Sequence, residues 1–397
     1  MFPPVNDARA LAQTAMTELG RGDALAARKN FEKIAADGLA DASIYLGLAI
    51  ACRSLMDSAG MTAAIDAALV IEPQNLRALV MKADQLAVRG DDAAAASFYA
   101  RVLSLAAAIP DLPADFGAEL ARVQQICDRS VAARESFMRD RLQRMGFSGG
   151  NVSRRFAESL DILFGKKQVY VQQPRYYYFP ELPQIQFYER AAFPWLDKVE
   201  AATAAIREEL AAVMKADSTA SPAFQPYVKA NARRPYHPQD GMLNNPAWSA
   251  FYLVKDGEVQ RENAARCPQT MAALSEVPLS QAVNRSPSIL FSLLRPGAHI
   301  PPHNGLINTR LICHLPLIVP GKCRFRVGNE TREWVEGKAW VFDDSIEHEA
   351  WNNSAQTRVI LLFEIWRPEL TLQERQQVSA MFEAIDADSR VKPVWEI

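Results

Sequence analysis

Arg310-Leu311-Ile312-Cys313-His314-Leu315-Pro316-Leu317-Ile318-Val319 is the stretch that decides the fold. A strand alternates its side chains with a period of two, so Arg310, Ile312 and His314 share one face and Leu311, Cys313 and Leu315 the other. Two polar groups on one side of an otherwise apolar strand mark that side as the lining of a pocket. Three more β-rich runs follow: Arg324-Phe-Arg-Val, Lys338-Ala-Trp-Val-Phe and Arg358-Val-Ile-Leu-Leu-Phe-Glu-Ile-Trp. Gly321, Gly328-Asn329 and Gly337 punctuate them as turns. Short antiparallel strands in this order predict a double-stranded β-helix, the jelly-roll or cupin-like architecture, with flanking helices.

Histidine placement suggests what that barrel does. The chain has 5 histidines. His303, His314 and His348 fall between Pro301 and Trp366, and His299 stands just before them. Neutral imidazole is a common ligand of iron, copper and zinc, so the cluster raises a metal site. His303 and His348 are too distant in sequence to share a helical turn, but they can meet across a sheet that curls back on itself.

Around these residues stand His303-x-Gly305, Asn308-x-Arg310, His314-Leu315, Asn329-Glu330-Thr331 and Trp334. Then come Phe342-Asp343-Asp344-Ser345, Glu347-His348-Glu349, Trp351 and Trp366-x-Pro368-Glu369-Leu370. The set resembles the aspartyl/asparaginyl β-hydroxylase family, whose members are Fe(II)- and 2-oxoglutarate-dependent dioxygenases. The resemblance covers Ser286 to Leu370 and extends more weakly back to Val169.

What the resemblance implies can be set against the residues. Oxygenases of this broad class hold iron with two histidines and a carboxylate. The carboxylate ordinarily sits two residues after the first histidine, and here that position is Gly305. Either His303 and His348 are the sole protein ligands, with water in the gap, or another acid serves. The family is known for lacking the carboxylate, which favours the two-histidine site; a halide in the vacant position is the variant seen in related halogenases. Glu347 is expected to point to the opposite face of its strand, and Asp343 and Asp344 to lie in a turn.

2-Oxoglutarate chelates iron at one end, and its far carboxylate needs a buried fork of donors, which arginine supplies. Arg358 heads an apolar strand, where a lone charge is costly unless paired. It is expected in that role, helped by the Ser292 hydroxyl. By resemblance, His314 lies beside the iron-bound carboxylate end. Arg310 is the candidate to meet an acidic group on the substrate, a surface salt bridge being its other reading. Animal members carry a second arginine two residues further on, where this chain has Ile312; the change removes a charge that would meet an anion. His299 is expected in a turn or behind the ligands.

The expected reaction, with O2 as oxidant, is hydroxylation of an aspartyl or asparaginyl β-carbon in a peptide or small molecule, giving succinate and carbon dioxide. The alternatives are the same chemistry on a lipid acyl chain or a free or carrier-bound amino acid, and a non-catalytic repeat adaptor with a ligand-sensing jelly roll.

Working outward to the N-terminus, residues 5 to 108 are rich in alanine and leucine and read as helices. Gly22 and Gly90, like Phe31 and Tyr99, are separated by twice the ~34-residue tetratricopeptide period. A middle repeat then runs from Ser43 to Asn75, with Tyr45-Leu46-Gly47 and Ile65 in repeat positions. Such units bury their apolar faces by stacking on one another, and an array of them would bind a protein partner or position a catalytic domain. A plain helical bundle is the alternative. Phe116 to Met145 reads as a long capping helix, Ser153 to Phe164 as a short one, and Leu196 to Lys215 as a single amphipathic helix. Aromatics from Tyr170 to Phe179 and Phe187 to Trp195 read as a seal over the domain junction and barrel flank rather than a ligand platform. Ala230 to Pro246, with Arg233, Arg234 and His237, reads as a loop over the mouth, where specificity commonly resides. The expected organisation is repeats at 1–110, linking helices at 111–168 and the dioxygenase domain at 169–397.

Bulk composition narrows the setting. The 44 basic and 46 acidic residues nearly cancel, which indicates no nucleic-acid field. No apolar run approaches the ~18 residues that span a bilayer. Five scattered cysteines and a start without signal-peptide character predict reduced thiols in a cytoplasm.

Overall fold

The computed structural model of the protein describes residues 5–110, 112, 114–216, 223–230 and 242–387. Most of the expected loop over the mouth, with Arg233, Arg234 and His237, lies outside the described residues. The chain divides into two compact units, Met1–Phe164 and Gly165–Ile397.

The first unit is a stack of helix pairs: α1 (Val5–Gly20) with α2 (Ala24–Ala36), α3 (Ala42–Ser54) with α4 (Ser58–Ile71), and α5 (Leu76–Val88) with α6 (Asp92–Ala106). Helix α7 (Gly117–Arg144) packs on α6, and α8 (Arg154–Leu163) follows. The repeat is written into the turns. Asp23, Asp57 and Asp91 cap the second helix of each pair, accepting from the backbone N–H groups of Ala26, Gly60 and Ala94 at 3.1, 2.8 and 3.1 Å. The residue before each cap has positive φ: Gly22 at 84°, Met56 at 58° and Gly90 at 81°. Phe31, Ile65 and Tyr99 are buried at the same phase. Gly47 is needed for close packing, because a Cβ there would come 2.4 Å from the Phe31 ring.

The second unit holds the barrel. Its strands are β1 (Gln225–Pro226), β2 (Trp248–Lys255), β3 (Glu258–Val259), β4 (Ile289–Leu294), β5 (His299–His303), β6 (Arg310–Ile318), β7 (Cys323–Val327), β8 (Glu330–Glu333), β9 (Trp340–Phe342), β10 (His348–Asn352) and β11 (Arg358–Trp366). One sheet runs β1-β2-β4-β11-β6-β9, with β3 added to β2, and the other runs β5-β10-β7-β8. All of these pairings are antiparallel. Strand β6 obeys the alternation. Leu311, Cys313, Leu315 and Leu317 join a core with Leu196, Val199, Ile206, Leu210 and Val213 of the covering helices. Ile312 joins the core between the sheets, with Trp248, Ile300, Phe325, Trp334, Phe342 and Ile360.

Two features depart from the sequence reading. The amphipathic helix is broken into α9 (Leu196–Ala201) and α10 (Thr203–Ala216). The Thr203 hydroxyl donates to the Glu200 carbonyl at 2.6 Å, and the Ala202 N–H is shared between Lys198 and Val199 at 3.3 Å, which interrupts the helical ladder. Strand β2 and the helices α11 (Arg261–Ala265), α12 (Pro268–Ala273) and α13 (Leu372–Ala387) had no counterpart in that reading. Among the described residues, no helix is long and apolar enough to cross a membrane.

Candidate active site

The two sheets enclose a cavity of about 60 Å³ lined by, among others, His303, His348, His314, Arg310, Arg358 and Ser292. All six candidates from the sequence therefore meet in one place. The reason is register: His348 opens β10 directly opposite His303, which ends β5. Their ring centroids lie 4.1 Å apart with planes inclined at 53°. Each ring is fixed through Nδ1, which donates to Pro301 O at 2.8 Å in His303 and to Ile346 O at 3.0 Å in His348. A carbonyl only accepts, so Nδ1 carries the proton and Nε2 keeps its lone pair for a metal. Burial lowers the pKa of His303 and holds that of His348 well below the usual value, the neighbouring imidazole adding to the latter. Neutral imidazole is the ligating form.

Gly305 has no room for a carboxylate of its own. A Cβ there would stand 2.1 Å from Oδ2 of Asp344, so that carboxyl fills the space a side chain would take. Asp344 is buried, and its Oδ1 has no hydrogen-bond partner. Burial pushes the group up to about 7, against the opposing pull of Arg310. The other acids near His348 are committed elsewhere. Glu347 pairs with Arg326 at 2.8 Å. Asp343 accepts from Arg367 and from Gln172, each at 2.7 Å. Arg367 also donates to the Asn308 and Pro183 carbonyls at 3.2 and 2.9 Å, clamping the turn before His348 to two neighbouring segments. His299 points away from the cavity: it is 43% exposed, bonds Glu349 at 2.9 Å and stacks on Trp351. Among the described residues no three His, Cys, Asp or Glu side chains form a metal-binding group.

At the other end of the cavity lies a charge with no acidic partner among the described residues. Arg358 is 1% exposed, donates to the Ser292 carbonyl at 3.3 Å, and lies 4.7 Å over the Trp334 ring. Its Nε has no partner. Burial alone pulls the guanidinium down to about 10. His314 lies nearby with Nδ1 also unpartnered, held well below its usual pKa by burial and by the Arg358 charge. The Ser292 hydroxyl accepts from Trp248 Nε1 at 3.4 Å. Buried, unsatisfied donors of this kind suit an anionic ligand.

Arg310 lines the cavity and is not a surface residue, yet it is already engaged. It pairs closely with Glu364 and, at 3.4 Å, with Asp344. Glu364 was not picked out from the sequence. It shares the inward parity of Arg358, and a lone acid on that face of an apolar strand was the available signal. Tyr227 and Trp248 were missed as well; their rings stack at 4.2 Å, and Trp248 lies 5.9 Å from His303. A second cleft of about 250 Å³ shares Tyr227, Arg310 and Glu364 with the cavity and leads outward past Lys229, Tyr252 and Lys255.

Residues 200–368 match the sequence model of a family described as aspartyl/asparaginyl β-hydroxylase. The human aspartyl/asparaginyl β-hydroxylase is 38% identical over 157 residues, which is 39% of this chain and 20% of that protein. The ornithine lipid ester-linked acyl 2-hydroxylase of Rhizobium tropici is 37% identical over 185 residues, 46% of this chain and 60% of that one. The chain thus spans a fifth to three fifths of these relatives. Among solved structures, the type III secretion translocator chaperone SycD of Yersinia enterocolitica aligns with a TM-score of 0.29 at 19% identity, covering 32% of this chain and 91% of its own.

Proposed function

From the match of residues 200–368 to the aspartyl/asparaginyl β-hydroxylase family, we propose that this protein is an Fe(II)- and 2-oxoglutarate-dependent dioxygenase that hydroxylates an aliphatic carbon. The observation that carries the proposal is the pairing, in one cavity, of two Nδ1-anchored neutral histidines with a buried arginine that has no acidic partner among the described residues. His303 and His348 would hold the iron through Nε2. Arg358, with Ser292 beside it, would receive the far carboxylate of 2-oxoglutarate, and His314 would lie against its iron-bound end. When bound, the ferrous ion supplies the activation of dioxygen that couples oxidative decarboxylation of 2-oxoglutarate to insertion of one oxygen atom.

The protein's own share is positional. The backbone carbonyls of Pro301 and Ile346 fix the tautomer of each imidazole. The Arg367–Asp343 clamp holds the turn that delivers Asp344 and His348. The aromatic wall of Trp248, Phe325, Trp334 and Phe342 keeps water from the reacting carbon. The target expected from the family is an aspartyl or asparaginyl β-carbon in a peptide or small molecule. A second reading, the same chemistry on an acyl chain or on a free or carrier-bound amino acid, is favoured by Ile312 in the cavity wall. The repeats are proposed to dock a protein partner.

Succinate release from 2-oxoglutarate with added Fe(II) tests the assignment. We expect it in the native protein and a loss of at least about 100-fold in His303→Ala. Equal turnover in the two would exclude an iron site at His303, and no succinate from either would leave the adaptor reading.

A further inference from the structure

Resting on that reading of the cavity, we infer that the part of the substrate presented for hydroxylation is uncharged, and that Arg310, Glu364 and Asp344 form an ionic wall that turns carboxylates away. An asparaginyl side chain or an acyl chain meets this condition, and an aspartyl side chain does not.

The alternation of β6 aims two residues at the substrate side of the cavity, Arg310 and Ile312. Arg310 is 3% exposed and faces two carboxylates, Glu364 and Asp344. Glu364 is itself fully engaged, since its second oxygen accepts from the backbone N–H of Ser288 at 2.9 Å. One guanidinium thus serves two acids, so the cluster carries no excess positive charge, although Arg310 Nε and Asp344 Oδ1 make no hydrogen bond among the described residues. A substrate carboxylate would be brought beside the Glu364 and Asp344 carboxyls in a site that strips its water, with no cation other than the shared Arg310 and Arg358 among the described lining residues to balance it. Ile312 adds no donor. It lies directly opposite Glu364 on one side and Phe342 on the other, packed among Trp248, Ile300 and Ile360.

Other cations are spoken for or lie elsewhere. Arg358 is the remaining cation among the described residues lining the cavity, and the reading above gives it to 2-oxoglutarate. Arg175 is close enough to His303 to lower its pKa but does not line the cavity. Lys229 and Lys255 line only the outer cleft, where Lys229 bonds Gln225 at 3.0 Å and Lys255 lies 5.6 Å over the Tyr252 ring. An acidic group elsewhere on the substrate can be met there, away from the carbon that reacts.

Two probes with one backbone test the wall: N-acetyl-norvaline methylamide and N-acetyl-aspartate methylamide. Their binding to the full chain is measured by calorimetry, with Zn(II) and 2-oxoglutarate present and again without either. With 2-oxoglutarate occupying Arg358 we expect the norvaline amide to bind about tenfold more tightly or better; without it the gap should narrow, because Arg358 is then open to the aspartate carboxylate. Ile312→Arg should reverse the order. Glu364→Gln, which frees part of Arg310 without adding bulk, should narrow the gap about tenfold. Equal or tighter binding of the aspartate amide by the native protein with Zn(II) and 2-oxoglutarate bound would overturn the inference. Failure of 2-oxoglutarate itself to bind would instead defeat the dioxygenase reading, leaving the probe preference to be read on its own.

Discussion

Arg358 shows at the scale of one residue how a functional site is carried at the expense of stability. Its charge is buried without a counter-ion among the described residues, and its pKa is pulled down to about 10. Below that pH the folded state holds an uncompensated cation, which disfavours folding. Replacing it by a methionine of similar length should therefore leave the ligand-free protein as stable as the native one, or more stable by on the order of 1 kcal/mol. The same change should abolish the rise in melting temperature that 2-oxoglutarate produces in the native protein. Thermal melts with and without the ligand check both halves; a destabilised Arg358→Met variant that still responds to 2-oxoglutarate would contradict them. This arginine was legible in the sequence because one charge in an apolar strand has to be explained. Its neighbour by parity, Glu364, stayed hidden because its partner Arg310 comes from another strand, and pairing across β6 and β11 depends on register. Tyr227 and Trp248 stayed hidden for a different reason: they flank a stretch read as loop, and nothing local announces that a ring will stack beside His303.

Among the elements, legibility followed periodicity. Strand β6 showed itself through alternation, β11 as a β-rich apolar run, and the repeat helices through glycines and aromatics in phase. The break between α9 and α10 was invisible because the apolar spacing continues across it, and only the Thr203 hydroxyl competing for a backbone carbonyl interrupts the helix. The turn residues carry the repeat more strictly than the helices do. Position 56 is the informative exception: the outer repeats place Gly22 and Gly90 at positive φ, whereas the middle one places Met56 there at 58° and almost fully exposed. An L side chain strains this conformation and gains no burial in return. Met56→Gly should stabilise the helical unit by roughly 1 kcal/mol, read as a higher denaturation midpoint by circular dichroism with unchanged cooperativity. A lower midpoint would mean that the exposed methionine contributes something the backbone argument omits.

Across the whole molecule, the two units differ in a way that makes their stabilities separable by pH. Every histidine lies in the barrel unit, and residues 1–164 contain none. In the metal-free protein His303, His314 and His348 are all held neutral by burial, whereas the unfolded chain protonates them near pH 6.5. Unfolding in mild acid therefore takes up as many as three protons on these groups, and stability falls as the pH drops. The acids Asp343 and Asp344 act in the opposite sense. Their folded pKa values are raised, Asp344 to about 7, so the folded state already holds protons that the unfolded chain lacks. The balance is an uptake of about one to two protons, a slope of roughly 1.4–3 kcal/mol per pH unit between about pH 5 and 6.5. Shifted acids of the helical unit, Asp41 and Asp57, are lowered and exert their effect only below this window. Because all 7 tryptophans also lie beyond residue 164, their fluorescence reports the barrel alone, while the far-ultraviolet helix signal is weighted toward the repeats. Between pH 7.5 and 5.5 the fluorescence transition should move to lower temperature and the helical one should hold its place. Two transitions shifting together would show that the units unfold as one, and a fluorescence transition that holds its place would show that the buried imidazoles are already charged in the fold.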